Sequence, residues 1–153
     1  RVIIIEPLAH RRNLASMLGA DYVLDPGDQD PVEGVKRITA GDGANVVVTS
    51  LGNPQAIQSA LPMVSKGGIF NIFGGPPAGY AIQVDPRWVH YHEVTITGSF
   101  ASTPQDFRQA VDLIASGAIA ADSLITHRFT LDSMTDAIEK AKSLEMIKGM
   151  LLL

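Results

Sequence analysis

Four apolar residues in a row, Val2 to Ile5, stop at Glu6-Pro7, so Arg1–Ile5 reads as a buried strand. Similar short runs recur at Asp21–Leu24, Asn45–Thr49 ("NVVVT"), Gly68–Phe73 ("GIFNIF") and Val94–Ser99, each bounded by turn-forming residues. Between them the pattern lengthens to a helical period. Leu14, Ala15 and Leu18 share one side of Leu8–Leu18, and Gly19 suits a left-handed terminator. Asp30-Pro31, Asn53-Pro54 and Thr103-Pro104 each pair a capping residue with proline at the first helical position. They predict helices to about Thr39, to Pro62 and the Lys66-Gly67-Gly68 turn, and to Ser116. A last helix is expected from near Asp132 to about Leu144, and the closing "MLLL" as a sixth short strand.

Strands alternating with helices point to a parallel α/β sheet with both faces covered. No repeat, heptad or linker interrupts the pattern, so residues 1–153 are expected to form one domain. Apolar residues make up 46% of the chain and charged residues 18%, which is less charge than the usual ~25% and suggests that some surface is meant to be covered. The net charge of -4 and scattered Lys and Arg exclude a nucleic-acid or anionic-membrane surface. No apolar run approaches the ~20 residues needed to span a bilayer. Cysteine is absent, which excludes disulfides and thiolate metal sites and suits a reducing cytoplasm.

A few positions carry candidate chemistry. A carboxylate at a strand end, as at Glu6, accepts hydrogen bonds from the adenosine ribose in doubly wound dinucleotide folds, and repels the extra phosphate of NADP. An ordinary solvated strand end is the other reading. The glycine fingerprint that should precede such an acid by about 20 residues is not among these residues. "GDGANV", Gly41 to Val46, precedes a strand and reads as a turn. His90 and His92 would share a face on a strand, but no third ligand is evident, and a structural or interface role is expected. The "FGGPP" loop follows a strand, where an α/β sheet lines its ligand crevice and glycines allow close backbone approach.

Together these pieces resemble the medium-chain, zinc-type alcohol dehydrogenase family. The resemblance runs through "EPLAHRRNLASMLGAD", "VVVTSLGNPQAIQSALPMVSKGGIFNIFGGPP", "EVTITGSFASTPQDFRQAVDLIASGAI" and "LITHRFTLDSMTDAIEKAKSLEMIKGMLLL". The "GSF" strand end, "LITHRFTL" and "IKGMLLL" are most similar to the sorbitol and threonine dehydrogenase branch, which oxidises secondary alcohols, polyols included. The resemblance implies an incomplete Rossmann-like doubly wound sheet, with the first strand and helix missing and a gap between Arg1–Ile5 and Asn45–Thr49. The chain is therefore expected to be part of a longer polypeptide.

The resemblance also implies roles. Glu6 matches the ribose-binding acid and Arg11 a basic position that reaches the ribose. Ser50, Leu51 and Gly52 match the loop beside the adenosine and nicotinamide ribose, and Phe73, Gly74 and Gly75 the loop below the nicotinamide. The backbone of Phe73, Ser99 and Ala101, with Phe100 between the last two, would bind the carboxamide. Lys148 matches a basic residue near the pyrophosphate. NAD is the expected cofactor. Zinc and the proton-relay residues belong to a catalytic domain outside this chain, so no catalytic or metal-binding residue is expected here. The expected partners are a small alcohol or polyol and a second copy of the chain, in a homodimer or homotetramer, with Gln83–Phe100 (Trp88, Val94 and Ile96 among them) at the contact. The alternatives are a zinc-independent, NADPH-dependent quinone or enoyl reductase of the same superfamily, and a non-enzymatic ligand-binding or assembly module.

Overall fold

The computed structural model describes all 153 residues, Arg1–Leu153. They pack as two compact units, one of Arg1–Arg12 with Ala20–Ala101 and one of Asn13–Gly19 with Ser102–Leu153.

The first unit holds five strands. β1 (Ile3–Ile5) pairs in parallel with β2 (Tyr22–Leu24). β3 (Ala44–Thr49), β4 (Val64–Ile72) and β5 (Thr95–Gly98) form a second parallel sheet in the order β3-β4-β5. Between β1 and β2 runs α1 (Ala9–Met17), followed by Gly19 in a left-handed conformation. α2 (Pro31–Ile38), α3 (Pro54–Ala60) and α4 (Pro86–His92) link the remaining strands. Each starts in the same way. Asp30, Asn53 and Asp85 are extended, their side chains accept backbone N–H groups of the first turn, and proline follows.

The core lies where α2, α3 and α4 meet the strands. Ile57 of α3 and Phe70 of β4 are fully buried, among Leu24, Val35, Leu61, Met63 and Val94. Burying a side chain of that size stabilises by roughly 1.5–3 kcal/mol, so this cluster fixes the sheet. The expected gap is present. β1 and β3 share no ladder, and a slot of about 780 Å³ lies between them, lined by Ile3–Ile5 and by Val46–Val48.

Two expectations are corrected. β4 begins at Val64, not Gly68, so the Lys66-Gly67-Gly68 turn is a bulge within it: Ala44 faces Val64 but Val46 faces Ile69, with Gly67 at φ 67°. On β3, Val46 and Val48 remain 56% and 55% exposed. Inside Gln83–Phe100, Asp85-Pro86 starts a helix that was not expected there. That helix turns Trp88 onto the unit's own core beside Ile82 and Val84. Val94 is a core residue and Ile96 packs against the core, leaving Thr95, Thr97 and Gly98 as the exposed residues of the edge strand β5.

In the second unit β6 (Ile125–Thr130) pairs in parallel with β7 (Lys148–Leu152). α5 (Pro104–Ala115), α6 (Ala121–Leu124) and α7 (Met134–Lys142) complete it. A reciprocal box opens α5: Thr103 Oγ1 accepts the Asp106 N–H at 3.2 Å, and Asp106 accepts the Thr103 N–H at 2.8 Å. No helix of the structure is long and apolar enough to cross a membrane.

Candidate functional site

Parallel strands bring their carboxyl ends to one edge, and there the first unit gathers its candidate residues. At the end of β1 the Glu6 N–H donates to Leu24 O at 3.1 Å, continuing the ladder for one residue. One carboxylate oxygen of Glu6 accepts the Leu8 N–H at 2.9 Å, tying the side chain to the turn that leads into α1. Arg12, one position beyond the expected Arg11, clamps this turn. Its guanidinium donates to Glu6 O at 2.9 Å and to Pro7 O at 2.6 Å, and pairs with Asp25 at 2.5 Å. Arg11 lies beside it in the first turn of α1, half-buried, its N–H donating to Leu8 O.

Across the slot from Glu6 stand Thr49, Ser50 and Leu51, all lining the same cavity. Thr49 is buried at the end of β3, and its carbonyl accepts both the Phe73 N–H at 3.1 Å and the Gly74 N–H at 2.8 Å. Those two bonds draw the loop after β4 against the loop after β3. A Cβ on Gly52 would collide with the Gly75 carbonyl, whose carbon would lie at 2.8 Å, and one on Gly74 would meet Leu51 N at 2.6 Å and Leu51 Cα at 2.7 Å. The close approach made by Gly52 and Gly74 is thus between the two loops. Only Gly75 has open space around its Cβ position.

β5 completes the edge. Ser99 donates its N–H to Ile72 O at 3.1 Å, and its Oγ accepts from Asn71 Nδ2 at 2.9 Å. Phe100 is fully exposed, and Ala101 follows with φ 59°, a left-handed conformation that a non-glycine residue adopts only when its surroundings impose it. The N–H groups of Phe73 and Ser99 are spent on the ladder, so these residues can offer a ligand their carbonyl oxygens. Glu6, Ser50, Leu51, Gly52, Phe73, Gly74, Gly75, Ser99, Phe100 and Ala101 thus all stand on loops at strand ends of the first unit. Lys148 belongs to the second, where it opens β7 opposite Ile125.

The histidine pair does not form a metal site. On α4, His92 directs Nδ1 to Trp88 O at 3.0 Å, while His90 packs edge-on against Tyr91. No three His, Asp or Glu side chains anywhere converge on a possible metal position, and cysteine is lacking, so zinc does not fit among these residues.

The sequence profile of the zinc-binding dehydrogenases matches residues 1–116. The chain belongs to that family. This dehydrogenase-family chain is 34% identical over 143 residues to D-arabitol-phosphate dehydrogenase of Enterococcus avium, covering 94% of this chain and 40% of that one. It is 32% identical over 137 residues to sorbitol dehydrogenase of Bacillus subtilis, covering 90% and 38%. Among solved structures it is similar to benzyl alcohol dehydrogenase of Acinetobacter calcoaceticus, with a TM-score of 0.89, 26% identity, and 97% and 41% coverage. A putative zinc-binding dehydrogenase of Sinorhizobium meliloti bound to NADP gives a TM-score of 0.90 at 29% identity, with 99% and 45% coverage. The chain spans about 40% of the length of the curated relatives it matches.

Sequence reasoning missed Arg12, Asp25, Thr49 and Asn71. Asn71 left the clearest signal, as the one polar residue inside "GIFNIF".

Proposed function

We propose that this chain is the cofactor-binding part of an NAD-dependent alcohol or polyol dehydrogenase, with residues 1–153 forming one partial dinucleotide-binding domain. The observation that carries the reading is that Glu6 lines one slot with Ser50 and Leu51, whose loop packs against Gly74 and Gly75, at the carboxyl edge of parallel strands. When bound, the nicotinamide supplies the hydride acceptor. The chain's own residues bind and orient it. Glu6 keeps one carboxylate oxygen for the adenosine ribose hydroxyls while Leu8 holds the other, and its charge disfavours a 2′-phosphate. The Phe73 and Ser99 carbonyls accept from the carboxamide amino group, and the Ala101 N–H donates to its oxygen. Open space at Gly75 receives the ring. Arg11 contributes beside the ribose and Lys148 near the pyrophosphate.

We place the zinc of this reaction, and its proton transfers, outside residues 1–153. A parallel strand of the full protein fills the slot between β1 and β3. The outer edge of β5 joins a second copy in a homodimer or homotetramer, in the cytoplasm. Purified full-length protein should oxidise secondary alcohols or polyols with NAD, followed by NADH absorbance. Failure to bind or use either nicotinamide cofactor would refute the reading, and NADPH-dependent reduction of enones or quinones alone would favour the reductase alternative.

A further inference from the structure

Two separate hydrogen bonds meet at Asn71 beneath the proposed nicotinamide loops, one on its main-chain carbonyl and one from its side-chain amide. Thr49 Oγ1 of β3 reaches Asn71 O of β4 at 3.4 Å, and Asn71 Nδ2 reaches Ser99 Oγ, just past β5, at 2.9 Å. Ser99 is held twice from β4, by this amide and by its own N–H on Ile72 O. Two residues later the backbone takes its left-handed turn at Ala101.

Asn71 is an expensive residue for this place. Its Oδ1 is buried with no hydrogen-bond partner, and a buried acceptor left unpaired costs roughly as much as a hydrogen bond gains. Its strand neighbours Phe70 and Ile72 are apolar, and a leucine here would avoid that cost. Stability alone therefore does not account for the amide. What the amide does is fix Ser99 at the one strand end whose following loop is least regular.

We propose that Asn71 is a positioning residue for the cofactor. It touches no cofactor atom. Through Ser99 it sets the direction of the Ser99 carbonyl and of the Ala101 N–H, the two groups assigned above to the carboxamide. The inference rests on the cofactor reading and adds to it a residue that acts from one layer below.

The test is a double-mutant cycle in the full-length protein, Asn71→Ala against Ser99→Ala, read as the NADH dissociation constant by fluorescence, with kcat, KM and the thermal midpoint alongside. A typical net hydrogen bond corresponds to about three- to tenfold in affinity. Each single variant should weaken NADH binding by that factor, and the double variant should be no worse than the weaker single. KM for NAD should rise in step, and Asn71→Asp, which can accept from the Ser99 hydroxyl, should recover part of the loss. An unchanged dissociation constant, additive losses, or a lowered midpoint with affinity intact would overturn the proposal. Ser99→Ala, on an exposed residue, keeps the test decisive if Asn71→Ala does not fold. If the wild-type protein binds neither NAD(H) nor NADP(H), the cofactor reading itself falls, and this proposal with it.

Discussion

Three glycines in the two apposed loops look alike in sequence and should behave differently when replaced. An alanine at Gly52 or Gly74 must place its Cβ against backbone of the facing loop, at Gly75 and at Leu51 respectively, and neither is a flexible side-chain end that can swing away. The loops must separate, loosening the Phe73 and Gly74 N–H bonds to Thr49 O. Overpacking of this kind costs about 1–3 kcal/mol. Gly75→Ala meets no atom within 4 Å, so its effect on stability should stay within about 0.5 kcal/mol. Binding should show the opposite order of interest. The new methyl at Gly75 projects into the space assigned to the nicotinamide, and a steric loss of ~1–2 kcal/mol weakens the cofactor roughly five- to thirtyfold. Scanning calorimetry of the full-length variants, paired with NADH titration, separates the two effects. Thermal midpoints for Gly52→Ala and Gly74→Ala equal to wild type would refute the loop-packing argument. A Gly75→Ala protein that binds NADH as wild type does would refute the placement of the ring.

Two further outcomes follow from the ion pairs and caps. Arg12 and Asp25 are each about four-fifths buried, so Asp25→Ala should remove a charge-assisted bond worth ~1.5–3 kcal/mol and loosen the Glu6 turn, raising KM for NAD as well as lowering the denaturation midpoint; a change in neither would show that the clamp is incidental. The Thr103 N–H and hydroxyl hold the Asp106 carboxyl below its ordinary value of 3.8. A depressed carboxylate contributes stability above its unfolded pKa and loses it as pH falls through the folded value. Amide protection in the first turn of α5, taken by NMR relative to the intrinsic exchange rate at each pH, should therefore fall below about pH 4 in the wild type and stay level in Asp106→Asn; an identical protection profile in both would contradict the cap assignment.

Much of the secondary structure was legible because its signals are local. A capping side chain before a proline acts within one turn, and Asp30, Asn53 and Thr103 all cap the helices expected of them. Asp85-Pro86 carries the same signal, but the aromatic run after it reads equally well as a strand until tertiary packing turns Trp88 inward. Glu6 was legible as a strand-end carboxylate. The clamp that Arg12 makes on the Glu6 turn was not, since it depends on helix phase and tertiary packing, which no local pattern fixes. Gly52 and Gly74 were singled out through the resemblance and the glycine-rich loop after a strand, whereas the facing backbone that requires them is visible only in the structure. The gap between β1 and β3 followed from the family resemblance, while the exposure of Val46 and Val48 depends on packing.

The central claim is that Glu6 selects an unphosphorylated ribose at this strand edge. The ratio of kcat/KM for NAD to that for NADP, measured in full-length wild type and Glu6→Ala with one secondary alcohol, tests it most directly. A carboxylate that accepts from the ribose and repels a phosphate should give the wild type a clear preference for NAD, and losing about 1.4 kcal/mol of that discrimination would narrow the ratio roughly tenfold. A wild type that prefers NADP, or a ratio unmoved by Glu6→Ala, would contradict it.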